Sequence, residues 1–320
     1  MKRRILFPLL VLVGLTLLIY RVFNSTDYHL FIKPDVGGHG HGYIYYDDGM
    51  WTRRVFIGDE NELGLYKADL SPAGSTIVFT RNAFLYFYDL RSNELTSFNT
   101  ELNQFFVTTP TQWSPDGRKI GFACSQMFQA PPEVCVWDVN NAELSILSDL
   151  RTYGQYDYLA FDGWSADAKT IVFMIAYSES EPQSGRQIIL KLDINTGRVT
   201  QVVDSKQTKL NISAGFALSP DGKTILFGAN SPLEISKNAY VSSLYQINAD
   251  GSGLRRLVHF EAWSLYQPLW SPDGNSFYVN ASNFYASIPL KYDLDGKLVG
   301  MLPFQLGRTM LAWRSAPSGK

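Results

Sequence analysis

The chain has 320 residues, of which 45% are hydrophobic and 14% aromatic, and its formal net charge is −2. This composition excludes wholesale disorder. The near-neutral charge excludes a protein that relies on phosphate contacts to nucleic acid, because such proteins carry a basic patch or a high isoelectric point.

The N-terminus has the pattern of a membrane-targeting segment. Lys2, Arg3 and Arg4 precede an uncharged apolar stretch, and we predict a cytoplasmic basic segment at residues 1–4 and a transmembrane signal-anchor at residues 5–23. A cleaved signal peptide is the alternative, because a basic start and an apolar middle suit both. No A-x-A-like cleavage site follows, which favours an uncleaved, single-pass anchor. The remainder is then expected on the extracytoplasmic side, periplasmic or extracellular.

Two of the four histidines lie close together near the start of the body. YHLFIKP (28–34) is typical of a strand and YIYYDDGMWTRRV (43–55) of a hairpin. Between them, His39 and His41 would project to the same side of an extended stretch and are weak candidates for metal ligands. Two ligands do not make a site, and a flexible glycine loop is the simpler interpretation, so we predict no metal and no other cofactor.

A five-residue phrase, close to Trp-Ser-Pro-Asp-Gly, recurs along the chain. Its copies begin at Leu70, Trp113, Trp164, Leu218 and Trp270. A period of about 40–50 residues is typical of β-propeller blades. In each copy a short strand ends on Trp or Leu, a polar turn follows, and an alternating apolar strand begins.

The residues of the phrase have structural explanations. Ser bonds back to the turn backbone, Pro presets φ, and Gly accepts the positive φ that closes a type I turn. Ala73 replaces the Asp in one copy, and Ala166 and Ala168 replace the Pro and the Gly in another. A catalytic Asp would not be replaced in this way, so we interpret the phrase as a joint between strands.

The two cysteines lie in one repeat, Cys124 at the end of IGFAC and Cys135 within EVCVWD. If these runs are neighbouring antiparallel strands around the loop SQMFQAPPE, residues 122/137 and 124/135 are facing pairs. A cross-strand disulfide between the cysteines then becomes possible, and the alternative is a pair of small, buried, free thiols. Outside the cytoplasm we favour the disulfide.

Each repeat continues with a second hairpin, such as LYFYDLRSNELTSF or IILKLDINTGRVTQV, which gives four strands per unit. No stretch after the anchor has a helical period. The first unit lacks a first strand, and MLAWRSAPSGK at the C-terminus supplies one. After a short linker at 24–27, residues 28–320 are therefore predicted to form an all-β, six-bladed β-propeller closed by the C-terminal strand.

These repeats resemble the TolB-like, WD40-like (PD40) propeller repeat, whose hallmark is W-S-P-D-G-[KR]-[IL]-[AL]-F, over about residues 27–320. The resemblance implies a non-enzymatic interaction module of the bacterial envelope. The same repeat also occurs in propeller domains of prolyl oligopeptidases and in some polysaccharide lyases, so the fold does not settle the activity. The chain departs from TolB in its predicted anchor and in lacking room for TolB's separate N-terminal α/β domain.

A loop-rich face is the predicted binding surface. The loops between second and third strands and the connections between blades share one face of a propeller, and here they are long and aromatic. Interfaces use Tyr, Trp and Arg as anchors. The candidate partner-binding residues are Phe106, Arg151, Tyr153, Tyr156, Tyr158, Trp263 and Tyr266. The alternative for each is packing between blades.

The sequence contains no G-x-S-x-G elbow, P-loop or GxGxxG. It favours a membrane-anchored, extracytoplasmic scaffold without catalytic activity, which binds a protein or a cell-envelope polymer through the loop-rich face. The alternative is a propeller glycan hydrolase or lyase that draws carboxylates, such as Glu181, Glu234 or Asp157, into the central channel.

Overall fold

The structure is a computed structural model that describes most strands and tight turns of the chain. The described residues are 27–34, 42–48, 52–55, 68–81, 84–97, 105–107, 111–126, 131–147, 150–177, 185–231, 243–260, 263–282, 287–302 and 309–315. Among them, no helix has the length and hydropathy needed to cross a bilayer. The anchor predicted at residues 5–23, and His39 and His41, lie outside these ranges.

The described strands form six antiparallel sheets, which we number as blades 1 to 6. Blade 1 contains, from the inside outward, β25 (Thr309–Ser315), β1 (Asp27–Pro34), β2 (Gly42–Asp47) and β3 (Thr52–Val55). Blade 2 contains β4 (Ala68–Leu70), β5 (Thr76–Arg81), β6 (Phe84–Asp89) and β7 (Leu95–Ser97). Blade 3 contains β8 (Phe105–Val107), β9 (Gln112–Trp113), β10 (Lys119–Gln126), β11 (Glu133–Asp138) and β12 (Glu143–Ile146).

The second half of the ring repeats the same order. Blade 4 contains β13 (Tyr158–Trp164), β14 (Thr170–Ala176), β15 (Gln187–Asp193) and β16 (Val199–Asp204). Blade 5 contains β17 (Asn211–Leu218), β18 (Thr224–Asn230), β19 (Ser243–Asn248) and β20 (Arg255–His259). Blade 6 contains β21 (Ser264–Trp270), β22 (Ser276–Ser282), β23 (Ser287–Asp293) and β24 (Leu298–Met301). The all-β, six-bladed propeller is therefore confirmed.

Within the described ranges, two short helical turns interrupt the strands, at Arg151–Tyr153 and Ser205–Thr208, and neither is predicted from the sequence. The second begins after Asp204, whose side chain accepts a hydrogen bond from the amide of Lys206 at 2.9 Å. This N-cap satisfies one of the free amides of the turn. A cap without an apolar period leaves no helical signal in the sequence.

The C-terminal strand closes the ring as predicted. β25 pairs antiparallel with β1, beginning with Asp27 opposite Ser315. The indole nitrogen of Trp313 donates to the carboxylate of Asp27 at 2.7 Å, so that a side chain reinforces the pairing at this end. The first described strand and the last described strand thus form the inner half of one blade.

Apolar side chains fill the space between neighbouring blades. Phe161, Phe173 and Val134 belong to one buried cluster between blades 3 and 4, and Val172 and Phe227 belong to the next cluster, between blades 4 and 5. Complete burial of such a side chain contributes about 1.5–3 kcal/mol. The second and third strands of each blade pack against neighbouring blades on both faces. Their sequences are therefore nearly continuous apolar runs, such as TIVFMIA in β14.

The Trp-Ser-Pro-Asp-Gly phrase connects the first strand of a blade to the second. In blade 3, the hydroxyl of Ser114 donates to Asp116 at 2.6 Å and accepts the amide of Lys119 at 2.9 Å. The amide of Gly117, at φ 70°, donates to the carbonyl of Ser114 at 2.9 Å. The phrase is the predicted joint between strands, and its hydroxyl and carboxylate hold the turn closed.

Ala168 stands where the other four copies of the turn have glycine, and it lies at φ 56°. Left-handed backbone costs a residue with a Cβ about 1–2 kcal/mol, whereas glycine pays only an entropic cost in the unfolded chain of about 0.4–1 kcal/mol. We therefore expect Ala168→Gly to raise the free energy of unfolding by about 0.5–1 kcal/mol. Urea denaturation followed by tryptophan fluorescence measures this change.

Gly222→Ala is the matched control for this prediction. Gly222 occupies the same turn position in blade 5 at φ 71°, and a Cβ there would lie 3.6 Å from the Cβ of Ser165, which is ordinary contact distance. The variant should lose about 1 kcal/mol through backbone conformation alone. Changes of the same sign in both variants would mean that φ does not govern stability at these turns.

The register of β10 and β11 differs from the predicted one. Cys135 faces Phe122 and Cys124 faces Glu133, so the predicted facing pairs 122/137 and 124/135 are wrong by two residues. β10 extends further than the sequence indicates and shortens the loop that follows it. The cysteines are diagonal neighbours on the same side of the sheet, with their Cα atoms 5.9 Å apart and their sulfurs bonded.

Candidate functional site

The two ends of the ring differ in their chemistry. One end, which we call the turn face, carries the first-to-second-strand joints with the Ser-Pro-Asp-Gly phrase, together with the third-to-fourth-strand turns. The opposite end, which we call the loop face, carries the second-to-third-strand loops and the connections between blades. Much of the loop face lies outside the described residues. The candidate partner-binding residues belong to the loop face.

Two of the candidate residues are packed where blades 3 and 4 meet. Tyr156 is 4% exposed, and its hydroxyl donates to the carbonyl of Pro132. Burial, assisted by Glu133, raises the pKa of Tyr156, so the hydroxyl keeps its proton and remains a donor. Tyr153 is half-buried against the core of blade 4, and its carbonyl accepts the hydroxyl of Tyr177 at 2.6 Å. In this structure both tyrosines stabilise the boundary between blades.

Removal of the Tyr156 hydroxyl should therefore affect stability. We expect Tyr156→Phe to lower the free energy of unfolding by about 1–2 kcal/mol, because the carbonyl of Pro132 loses its donor in a buried place. Tyr88→Phe is the control, since the Tyr88 hydroxyl bonds to Asn93 on the surface and water can replace it. Equal melting temperatures of the two variants would contradict a packing role for Tyr156.

A stacked aromatic pair, of which one member is exposed, lies where blades 5 and 6 meet. Phe260 is 39% exposed, and its ring stacks on that of Trp263 with centroids 5.7 Å apart. Trp263 also packs against the core of blade 6, which fixes the position of the pair. Tyr266 is half-buried, with its hydroxyl 3.2 Å from the hydroxyl of Ser287. Phe260 is not among the residues predicted from the sequence, although the aromatic spacing of FEAW would have pointed to it.

Three further candidates lie in strands or turns of the same face. Tyr158 begins β13 and is 41% exposed. Phe106 lies in β8 opposite Ser125, and Arg151 begins a short helical turn. The side chains of Phe106 and Arg151 lie outside the described part of the structure, so their role as anchors stays a prediction.

A partly buried ion pair stiffens blade 4 at the loop face. Arg186 Nη2 lies 2.6 Å from a carboxylate oxygen of Asp204, and its guanidinium lies over the ring of Tyr177 at 5.9 Å. Burial opposes ionisation of Asp204, but the hydrogen bonds from Arg186 and from the amide of Lys206 outweigh it and hold the pKa of Asp204 below its ordinary value. The side chains around these residues are therefore held in place before any partner binds.

The carboxylates considered for catalysis are only partly described. Asp157 lies just before β13, and its amide donates to the carbonyl of Ala176 at 3.0 Å. Glu181 and Glu234 lie outside the described residues. Among the residues that the structure describes, no group of three or more His, Cys, Asp or Glu side chains is placed to hold a metal ion.

On the turn face, the inner strands enclose a cavity of about 360 Å³, which we call the funnel. Residues from all six blades line it, so it lies on the axis of the ring. The residues that line it include four tryptophans, three of them buried, and four prolines: Trp113, Trp164, Trp270, Trp313, Pro72, Pro115, Pro220 and Pro272. The sequence explains the repeated phrase as a joint, and the structure shows that the phrase also builds this cavity.

One ion pair lies in the wall of the funnel. Both carboxylate oxygens of Asp69 lie 2.8 Å from Nη2 of Arg314. The same carboxylate accepts the amides of Leu70 at 2.8 Å and Trp113 at 2.9 Å. Burial raises the pKa of Asp69, while Arg314 and the two amides oppose that shift. Because both oxygens are engaged, the pair is a structural clasp between β25 and β4 rather than a free acid or base.

No protein-family model and no curated protein sequence matches the chain. Its fold is similar to that of solved propellers. A TolB-type protein from Agrobacterium tumefaciens is 17% identical, with a TM-score of 0.59 over 87% of this chain and 90% of that protein. TolB from Acinetobacter baumannii is also 17% identical, with a TM-score of 0.63 over 88% of this chain and 65% of that protein. This chain therefore spans about two thirds of the Acinetobacter protein.

An enzyme shares the fold as well. An oligogalacturonate lyase from Vibrio parahaemolyticus is 15% identical, with a TM-score of 0.53 over 86% of this chain and 72% of the lyase. Identities this low establish a common architecture and leave activity open. The chain has the TolB-like, six-bladed β-propeller fold.

Proposed function

We propose that this protein is a non-catalytic scaffold that binds a protein partner through its loop face. The observation that carries the proposal is the ring of Phe260, which is 39% exposed and stacks on the half-buried Trp263. Exposed aromatic side chains with large apolar area are the usual anchors of protein interfaces. Because Trp263 is already held by the core of blade 6, little conformational entropy is lost when a partner covers the pair.

The resemblance of the repeats to TolB-like modules supports a protein partner. The alternative partner is a cell-envelope polymer, which stacks its sugar rings on aromatic faces as well. A protein interface needs about 800 Å² on each side, which is much more than one aromatic pair supplies. The partner is therefore expected to extend over the neighbouring loops of the same face.

The proposal includes tethering to a membrane through residues 5–23, with the propeller on the extracytoplasmic side. The uncharged apolar stretch after Lys2, Arg3 and Arg4 supports it. The bonded sulfurs of the two cysteines are consistent with an oxidising compartment. Fractionation of cells and N-terminal sequencing of the mature chain test this part. A soluble chain without its first residues would contradict the anchor.

Site-specific crosslinking tests the partner surface. A photoreactive phenylalanine analogue at position 260 of the full chain should crosslink to a discrete protein species, and the adduct should disappear when Trp263→Ala is added. The same analogue at position 95, an exposed site on the outer strand of blade 2, is the matched control. The Phe260→Ala variant should melt only slightly below the unchanged protein, because Phe260 lies outside the buried core and its loss removes one ring-stacking contact with Trp263.

The outcome of this experiment separates three cases. An adduct at 260 that is absent at 95 and sensitive to Trp263→Ala supports a protein-binding loop face. Identical adducts from both positions mean non-specific contact and contradict the proposal. Adducts whose added mass is removed by glycosidases assign the surface to a polymer and overturn the protein-binding function.

A further inference from the structure

We infer that the outer edge of blade 6 is an interface between two copies of this chain, which pair antiparallel through β24 so that one sheet continues across both. This surface, which we call the blade 6 edge, consists of β24 (Leu298–Met301) and Leu294 in the turn before it. The inference does not depend on the proposed function, because it uses neither Phe260 nor Trp263.

Exposed apolar side chains are concentrated at the blade 6 edge. Of the nine large hydrophobic residues that are exposed in the described part of the chain, four lie here, and they are between 44% and 53% exposed: Leu294, Leu298, Val299 and Met301. The repeat itself does not require this. Leu90 follows the third strand of blade 2 as Leu294 follows that of blade 6, yet Leu90 is 5% exposed and belongs to the core. A contiguous apolar patch of this kind commonly marks an interaction surface.

The backbone of β24 shows which class of molecule fits the patch. β24 is the last strand of its sheet, and no described strand pairs with its outer side. The N–H and C=O groups along that side are matched in spacing and direction by the backbone of another strand. A lipid that covered the four apolar side chains would bury these polar groups without partners, which is unfavourable. The occupant that satisfies both the side chains and the backbone is an extended polypeptide.

The charges of the outer strands identify that polypeptide as a second β24. Arg53 and Arg54 lie on β3, and Arg255 and Arg256 lie on β20. Such charges protect an edge, because self-pairing would bring like charges together. β24, with the sequence Leu-Val-Gly-Met, carries no charge. The strand that fits its outer side is uncharged, apolar and itself free on one side, and β24 has all three properties.

The contact is self-complementary but short. Antiparallel pairing of two β24 strands about a two-fold axis uses the same surface on both copies, so the assembly closes as a dimer. β24 carries a bulge, which limits the number of backbone pairs, although the outer strands β16 and β20 carry one as well. An interface of four residues a side is at the small end of the known range, so we expect a dissociation constant of about 1–100 μM.

Light scattering during size-exclusion chromatography tests the inference on the full chain in dodecylmaltoside. The protein mass should rise from one chain toward two as the concentration increases from about 1 to 200 μM. Val299→Lys should weaken the dimer at least about tenfold, because it places like charges on the two sides of the axis. Leu95→Lys is the matched control and should dimerise unchanged, since Leu95 is an exposed apolar residue on β7, the outer strand of blade 2. Both variants should fold, because both positions are exposed.

A charge-swap mixture shows whether two copies of the blade 6 edge face each other. Val299→Lys and Val299→Glu should each be monomeric alone, and an equal mixture of the two should recover the mass of a dimer. Loss of an unrelated interface would not be repaired in this way, because only opposite charges that meet across the axis restore the contact.

Four results would overturn the inference. The first is a mass of one chain over the whole concentration range, and the second is a dimer that persists in Val299→Lys. The third is equal weakening by Leu95→Lys, and the fourth is an equal mixture that stays monomeric. If the unchanged chain is monomeric and binds more detergent than Val299→Lys does, the blade 6 edge contacts lipid instead of a second copy.

Discussion

Replacing Arg314 with methionine is expected to lower the free energy of unfolding by about 3–5 kcal/mol, the usual cost of leaving one member of a buried ion pair alone. Asp69 is 4% exposed, so its carboxylate would remain in the funnel wall without a counterion. The guanidinium also donates through Nε to the carbonyl of Leu70 at 3.0 Å. The substitution thus disconnects the last strand from blade 2. Urea denaturation followed by tryptophan fluorescence and circular dichroism measures the loss.

Two controls show whether burial is the reason. Lys169→Met removes an ion pair with Asp167 whose side chains are 64% and 59% exposed, and it should leave the free energy of unfolding nearly unchanged. The double variant Arg314→Met with Asp69→Leu should recover part of the loss, since no unpaired charge remains buried. If Arg314→Met lowers the free energy of unfolding no more than Lys169→Met does, the ion pair between Arg314 and Asp69 does not stabilise the closure of the ring.

The closure of the ring could be predicted because the signals for it are local. Pro and Gly at fixed offsets specify the joint, and alternating apolar residues specify the strands on either side. The N-terminal unit lacks its first strand and the C-terminus has one strand too many. Both are explained if the last strand completes the first blade. The pairing of the C-terminal strand with β1 follows from these features, whereas its register, with Asp27 opposite Ser315, is seen only in the structure.

The register of β10 and β11 could not be predicted in the same way. A shift of two residues leaves every side chain on the same side of the sheet, so the apolar pattern is satisfied equally well by either register. Only the length of the intervening loop distinguishes them, and the sequence does not state where β10 ends. Cys124 and Cys135 share a side of the sheet in both registers, which is why the bond between their sulfurs is compatible with either.

The candidate anchors on the loop face show a second limit. Tyr156 and Phe260 are both aromatic residues in connections between blades, yet Tyr156 is buried and Phe260 is exposed. The difference lies in a neighbouring blade, where the carbonyl of Pro132 receives the Tyr156 hydroxyl. Composition and spacing do not contain that contact. The funnel is hidden for a related reason, because the tryptophans that form it are far apart in sequence and meet only when the blades assemble.

The second large effect is expected at Asn280, which joins blade 6 to the closing strand. Its side-chain nitrogen donates to the carbonyl of Met310 at 2.9 Å, and its side-chain oxygen accepts the amide of Met310 at 2.8 Å. Asn280 and Met310 are 1% and 0% exposed. The Asn280 side chain therefore makes the same two hydrogen bonds to Met310 of β25 that the backbone of a neighbouring strand would make. Asn280→Ala should lower the free energy of unfolding by about 2–5 kcal/mol, because it leaves a buried N–H and a buried C=O without partners.

Hydrogen exchange distinguishes this cause from a general loss of packing. In Asn280→Ala the amide of Met310 should exchange much faster than in the unchanged protein. Amides in the middle of blade 4 should exchange faster only by the amount that the lower free energy of unfolding explains. Asn275→Ala is the control: its side chain bonds to Asp273 in an exposed turn at 3.1 Å, and water replaces that bond. Uniformly faster exchange in all blades, with no excess at Met310, would mean that the loss of stability comes from the space left by the truncated side chain. Asn280 would then have no specific role in closing the ring. An excess confined to β25 means that the last strand is held from both sides, by Arg314 toward blade 2 and by Asn280 from blade 6, so the ring opens at this seam when either contact is lost.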